Sequence, residues 1–365
     1  MAAEWEPLPP GSTVGILGGG QLGRMLAIAA AELGFRTHVF SPEEDSPAFQ
    51  VSSDGTLAGY EDEEALRQFA EQVHVVTYEF ENVPARTAEV LSALRPVLPS
   101  PRALAIAQDR LIEKNFLQEN GIATAPFVAV NDRAGAAFAA GKIGTPGVLK
   151  TRRFGYDGKG QAKVTEGKLA AAAFDLLSAP AIYEGFVDFE REISVVAARS
   201  RSGAIECYDV VENIHEHHIL AHTLVPARIG KSDSDAAKAI ATKLLDALDY
   251  VGVIGVEMFL TRDARVLVNE FAPRVHNSGH WTIDACAVSQ FEQHIRAICG
   301  WPLGNPARHS DAIMRNLIGD DVFTWPSLAA EPNAQLHLYG KSESRPGRKM
   351  GHVTRLFPKG ARPER

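Results

Sequence analysis

VEMFLTRDARVLVNEFAPRVHNSGHW (residues 256–281) begins as two apolar runs separated by TRDAR and ends in a crowd of polar groups. The runs on either side of that turn predict a β-hairpin. Glu257, Asn269 and Glu270 interrupt strands that are otherwise apolar. A symmetric turn sets Glu257 opposite Asn269, and a one-residue shift sets it opposite Glu270; the pattern leaves both registers open. Either one brings oxygen ligands within the cross-strand distance of roughly 4.5–5.5 Å, which suits one or two Mg²⁺ ions bridging phosphates. Arg274, His276, Asn277 and His280 follow within a few residues, around Pro and Gly breakers. Each charge would need its own partner if buried, so the crowding reads as a site for an anionic substrate beside a metal.

Working outward, 365 residues imply about two to three domains. A hydrophobic content of 45% with 22% charged residues belongs to a globular chain. No apolar run is long enough for a membrane span, and MAAEWEPLPP lacks the features of a signal peptide, so the expected location is the cytoplasm. A formal charge of -8 disfavours nucleic acid as a partner while leaving room for a local basic pocket. Cys207, Cys286 and Cys299 have no paired spacing, and all three are expected to be core thiols.

The first hundred residues alternate strand and helix signals. An apolar strand at 13–17 runs into Gly18-Gly19-Gly20, a helix follows with Leu22, Met25, Leu26, Ala29 and Leu33 at helical spacing, and strands are expected at 37–40 and 74–80. GILGGGQLGRM contains GxGxxG in Gly18, Gly20 and Gly23, where amides at a helix start attract a phosphate. A dinucleotide site would want an acid closing the second strand, where Ser41 and Pro42 stand instead. A plain tight turn is the third reading.

Further on, FGYDGKGQ (154–161) places three glycines and Lys159 between two strand signals, with Lys150 just upstream. Such a loop can fold over a triphosphate, whereas an ordinary hairpin turn needs fewer glycines. YEGFVDFEREISV carries Glu184, Glu190 and Glu192, which taken alone read as an amphipathic strand with a solvated acidic face. HEHHILAH lacks the HExxH order of a zinc helix, so it reads as a polar strand-to-loop passage with one histidine lining a pocket. The basic run Lys341, Arg345, Arg348, Lys349 is a solvated turn that Pro346-Gly347 would shape to accept a phosphate.

GGGQLGRM, YEFENVP, QDR, GYDGKGQ, EGFVDFEREISV, ENIH, NEFAPRVHNSGHWT and RPGRKMGH occur in this order. The ordered set resembles the ATP-grasp enzymes, and among them the 5-(carboxyamino)imidazole ribonucleotide synthases of purine biosynthesis. The resemblance implies an α/β and α+β chain: a Rossmann-like pre-ATP-grasp domain (1–107), a two-lobed ATP-grasp domain (108–305, lid about 124–185) and a small C-terminal β domain (306–365), commonly as a homodimer. It implies ATP contacts at Arg110, Lys150, the loop Gly155, Tyr156, Asp157, Gly158, Lys159, Gly160, Gln161, the hinge Glu184, Gly185, Phe186, Val187, and Glu192 and His215. Glu257 and Glu270 match the positions of Mg²⁺ ligands, with Mn²⁺ an alternative ion, and Asn269 and Glu270 those touching phosphate. Bicarbonate would lie near Arg274, His276 and Asn277. The ribonucleotide, 5-aminoimidazole ribonucleotide, would meet Gly20, Gln21, Leu22, Glu79, Tyr156, Asp157, Lys341, Arg348 and Lys349.

The expected chemistry is a two-stage ligation through carboxyphosphate, with Lys150 and Arg274 offsetting charge and Asp157 orienting the amine or taking its proton. Three rivals remain: a formate-dependent purine ligase, a nicotinamide-dependent oxidoreductase resting on GxGxxG, and a nucleotide-sensing regulator without turnover.

Overall fold

A computed structural model describes residues 6–155 and 158–363, so Tyr156 and Asp157 lie outside the described residues. Among the described residues the strands form three sheets. The first is parallel, with Asp54–Leu57, Arg36–Ser41, Thr13–Leu17 and Val75–Tyr78 in that spatial order. Val14, Ile16 and Leu17 are all fully buried, as a parallel strand covered on both faces requires. Gly15 is forced in that strand, because a Cβ there would come within 2.6 Å of the Phe69 ring.

A four-stranded antiparallel sheet follows, ordered Phe127–Val130, Ala181–Gly185, Gly147–Thr151, Gln161–Val164. Helices Arg133–Ile143 and Ala170–Leu177 pack on it, and small residues (Ala136, Ala139, Ala140, Ala170, Ala173) let them sit close around Leu149 and Tyr183. This unit has a core of its own. The glycine-rich segment connects Gly147–Thr151 to Gln161–Val164, as the strand, turn and strand signals predict.

The third sheet is the frame of the molecule. It runs Val266–Ala272, Gly252–Thr261, Phe189–Arg199, Val211–Glu216, Ile219–Val225, Asp311–Ile318, Lys349–Phe357, Ala334–Leu338, with Ile205–Cys207 beside Phe189–Arg199. The final three strands therefore continue this sheet through the pairing of Val225 with Ala312, and do not close a sheet of their own. Helix Lys231–Ala247 packs against it through Ala237, Ala241, Leu244 and Leu245. Helix Gln290–Ile298 is wedged between the sheet and the N-terminal helix Gln21–Glu32, joining the parallel sheet to the frame through one continuous core. Cys286 and Cys299 are buried in that core as expected, whereas Cys207 is only partly covered. No helix among the described residues is long and apolar enough to cross a membrane.

The hairpin register left open by pattern is resolved by a bulge. Glu257 faces Glu270 and Met258 faces Val268, so Asn269 is the extra residue. A bulge re-aims side chains at the point where it interrupts the ladder, and here it lies at the acidic pair.

Candidate active site

The cleft lies where the three sheets approach one another. It is lined by Glu81, Asn82, Arg110, Glu113, Arg152, Gly155, Glu257, Glu270, Arg274 and His276, among others. Its floor is the bulged hairpin.

Each acid of the pair has a cationic or imidazole partner. Glu270 accepts from Arg110 Nη1, and Arg110 Nη2 donates to the Gly155 carbonyl at 3.2 Å, tying the glycine loop to the floor. Glu257 lies 3.2 Å from His276 Nε2. Burial pushes the Glu257 carboxyl up, but His276, His215 and Lys349 outweigh it and hold it at about 2. Two carboxyl side chains facing each other across one ladder, open to a cleft, form a donor set that fits Mg²⁺.

Lys150 reaches the same floor from strand Gly147–Thr151: its Nζ donates to Glu184 at 2.9 Å and to Asn269 Oδ1 at 3.4 Å. Glu184 is almost fully buried and also faces Lys114 at 3.4 Å. Burial alone would raise its carboxyl, yet Lys114 and Lys150 bring it down to about 2. Beyond Glu184, Gly185 N donates to the Pro126 carbonyl, Phe186 N to that of Pro146, and the half-exposed Phe186 ring lies 4.6 Å from Lys163 Nζ. Glu192 and His215, on neighbouring strands, bond side chain to side chain, and burial of His215 is overcome by Glu192 so that the imidazole is shifted up.

The other histidines of that segment have local roles. His217 and His218 form a two-residue turn with φ of 51° and 66°, both left-handed. His218 Nδ1 lies 3.4 Å from Gln161 Nε2, and its Cβ fills the space beside Gly158, where a Cβ would approach to 2.5 Å. Gly158 and Gly160 themselves have positive φ, and Lys159 lies between them.

The N-terminal glycine loop differs from the phosphate-cradle reading. Glu79 occupies the helix start: Gly20 N donates to Oε1 at 2.6 Å and Gly23 N to Oε2 at 2.9 Å. A carboxylate from the neighbouring strand thus satisfies the orphan amides and meets the helix dipole. Burial still shifts Glu79 upward, against those two amides and the positive charges of Arg274 and Lys341. Leu22 is packed in the core, and Gln21 is half-buried beside it.

Lys341 Nζ donates to the Lys349 carbonyl, and burial together with Arg348 brings its ammonium down to about 8. Arg348 donates to the Glu343 carbonyl at 2.9 Å. Lys341 senses Glu79, while Lys349 senses Glu257, so one electrostatic field joins the glycine loop, the basic turn and the acidic pair. Asn277 stands apart from the cleft lining. Its amide exchanges hydrogen bonds with Asn316, at 3.0 and 2.6 Å, on strand Asp311–Ile318.

Pattern reasoning missed three groups. Glu81 receives Arg274 Nε at 2.6 Å and is shifted down by that guanidinium despite its burial. Glu79 and Glu81 stand two apart after an apolar strand, which was a usable sign. Glu113 accepts from Phe271 N at 2.8 Å, and burial, with Glu270 nearby, lifts its carboxyl to about 8. Lys114, fully buried, lies four residues after Arg110 on one helix face. Replacing Lys114 by Met is expected to cost about 3 kcal/mol, because it strips a counter-charge from buried Glu184. Since the folded Glu184 carboxyl lies below its usual value, its stabilisation is full above about pH 4.5 and lost as pH falls toward about 2. Urea unfolding of the wild type and Lys114→Met across that window should show this acid-side loss shrinking in the variant.

Comparison with known proteins places these elements in a family. Residues 12–108 match the ribonucleotide synthetase preATP-grasp domain, 115–291 the ATP-grasp domain and 312–362 the phosphoribosylaminoimidazole carboxylase C-terminal domain. The chain is 55% identical over 355 residues to an N5-carboxyaminoimidazole ribonucleotide synthase of Brucella melitensis, covering 96% of this chain and 98% of that one. The Bacillus subtilis enzyme of the same name is 44% identical over 349 residues, covering 94% and 91%. A crystal structure of an ADP complex of N5-carboxyaminoimidazole ribonucleotide synthetase superposes with a TM-score of 0.94 at 42% identity, covering 96% and 94%. An Aspergillus clavatus synthase in complex with ADP and 5-aminoimidazole ribonucleotide gives 0.89 at 33%, covering 96% and 94%. With three consecutive domain matches and close relatives spanning nearly its whole length, this chain belongs to the N5-carboxyaminoimidazole ribonucleotide synthase family of ATP-grasp ligases.

Proposed function

We propose that this chain uses ATP and bicarbonate to carboxylate the exocyclic amine of 5-aminoimidazole ribonucleotide, releasing ADP and phosphate, as a step of purine biosynthesis. The observation that carries the reading is the register-opposed pair Glu257 and Glu270 beside Arg274 and His276 in one cleft. The relative crystallised with ADP and the same ribonucleotide supports it.

A bicarbonate oxygen attacks the γ-phosphorus of ATP, the bond to the ADP oxygen breaks, and carboxyphosphate results. The ribonucleotide amine then attacks the carboxyl carbon, or CO₂ freed from it; phosphate leaves and the amine gives up a proton. Lys150 and Arg274 offset charge on the transferring group, and Arg274 with His276 positions the one-carbon oxyanion, with Asn277 behind it. Asp157 receives the amine proton. Glu257 and Glu270 would hold Mg²⁺ or Mn²⁺, which supplies charge neutralisation and orients the phosphates. Arg110, Lys150, the loop 155–161, the hinge 184–187, Glu192, His215, Asn269 and Glu270 hold the nucleotide. Glu79, Tyr156, Lys341, Arg348 and Lys349, with the backbone at Gly20, Gln21 and Leu22, hold the ribonucleotide. Closing the glycine loop keeps water from carboxyphosphate.

On this reading the domains divide near residues 107 and 305, the lid spans about 124–185, and the chain works in the cytoplasm as a homodimer. ADP formation should require MgATP, bicarbonate and 5-aminoimidazole ribonucleotide together, and omitting any one should abolish it. Release of ADP when formate replaces bicarbonate would instead identify a formate-dependent ligase.

A further inference from the structure

Away from the cleft, the cross-strand partners His337, on Ala334–Leu338, and His352, on Lys349–Phe357, sit directly opposite each other. Their rings stack with centroids 4.5 Å apart and an interplanar angle of 15°. Asp284, from the short helix Thr282–Ala285, comes over them and accepts from His337 Nε2 at 3.0 and 2.9 Å. One donor atom of each of the three lies within 4.8 Å of the others, the one such group of three found among the described residues. We propose that Asp284, His337 and His352 form a binding site for a first-row transition metal of the Zn²⁺ class, separate from the magnesium pair.

The donor set favours this ion type. Two imidazoles and one carboxylate suit zinc and its neighbours, whereas Mg²⁺ and Ca²⁺ select oxygen-rich cages. The second, independent observation is an orphaned nitrogen. His352 is fully buried, its Nδ1 is 2.9 Å from the Tyr339 hydroxyl, and its Nε2 has no hydrogen-bond partner. A buried polar atom left unmade costs on the order of 1–3 kcal/mol, and a metal bond would relieve it. Tyr339 is placed to act as the outer partner that fixes the tautomer: with Nδ1–H donating to its oxygen, the Nε2 lone pair is free to ligate. His280, whose ring lies 4.9 Å from that of His352, has a second buried Nε2 without a partner in the same cluster.

Ligand bonds of about 2.0–2.2 Å require the donors to draw closer than the 4.8 Å that now bounds them, and the stacked rings to turn toward a common point. His337 and Asp284 are partly exposed, so the ion has access from solvent and water can complete its shell. The bound ion would fasten the C-terminal strands to the short helix that follows the His276–Trp281 segment, stabilising the fold by mass action.

Co²⁺ is the probe. Full-length protein freed of metal with a chelator is titrated with Co²⁺ without nucleotide, and Zn²⁺ is competed against a chromophoric chelator. The expected result is one equivalent per chain with visible d–d bands, an affinity at least 10-fold weaker in both His337→Gln and Asp284→Asn, and no change in Glu257→Gln. A thermal midpoint that rises with Zn²⁺ in the wild type, but not in His337→Gln, would support it independently. No uptake by the wild type, uptake unchanged in both variants, or uptake lost only in Glu257→Gln would overturn the site.

Discussion

Replacing Arg274 by Met is expected to lower kcat/KM for bicarbonate by about 10³ or more, which is ~4 kcal/mol of lost transition-state stabilisation. The guanidinium is held with little freedom: Nε donates to Glu81, Nη1 donates to the Val275 carbonyl at 3.0 Å, and the side chain is 16% exposed. Its charge is therefore fixed in place before any reaction begins. Removing it also leaves the partly exposed Glu81 without its counter-ion, at a cost of about 2 kcal/mol in stability. The two losses separate in the double variant Arg274→Met with Glu81→Gln, which should regain stability in urea and stay inactive. Full recovery of turnover in that double variant would show that Arg274 acts only as a structural partner of Glu81. Arg274→Lys keeps the charge without the planar fork and should fall between the two.

How far these groups were legible depends on the range of the contact that fixes each one. Strand, helix and strand at 13–40 followed from local periodicity and the glycine stop at Gly34. The occupant of that helix start did not, because Glu79 arrives from 56 and 59 residues away along the chain. The acidic hairpin was visible as two carboxylates in apolar strands, yet its register turned on a bulge at Asn269 that a two-residue period cannot announce. Asn277 was grouped with its neighbours Arg274 and His276, but Asn316, 39 residues on, claims its amide. Lys114 went unread for a different reason: a lysine is rarely buried, and its ion pair with Glu184, 70 residues on, is what makes its burial tolerable. The metal-competent triad is the extreme case. His337 and His352 look like ordinary strand residues until the ladder sets them opposite each other.

The acidic pair supports the second large effect. Glu257→Gln and Glu270→Gln should each reduce kcat by about 10²–10³ at saturating ATP, and each should raise the Mg²⁺ concentration for half-maximal rate at least tenfold. The amide keeps the shape of the side chain and, at Glu257, an oxygen able to accept from His276, but it loses the charge that a hard cation needs. Stability gives the contrast. In the metal-free protein the two acids face each other across one ladder, but each also has a partner, Arg110 for Glu270 and His276 for Glu257, so neutralising one relieves a like-charge contact while giving up that pair, and unfolding should shift by no more than about 1–2 kcal/mol. A role in folding would reverse that order, lowering stability more than rate. Glu212→Gln is the matched control: that acid lies on the same sheet, paired with Arg191 at 2.8 Å and outside the cleft lining, and its loss should leave the Mg²⁺ dependence unchanged. If all three variants show the wild-type Mg²⁺ curve, Glu257 and Glu270 are not the metal ligands, and the charge on the triphosphate must be met by Arg110, Lys150 and Arg274 alone.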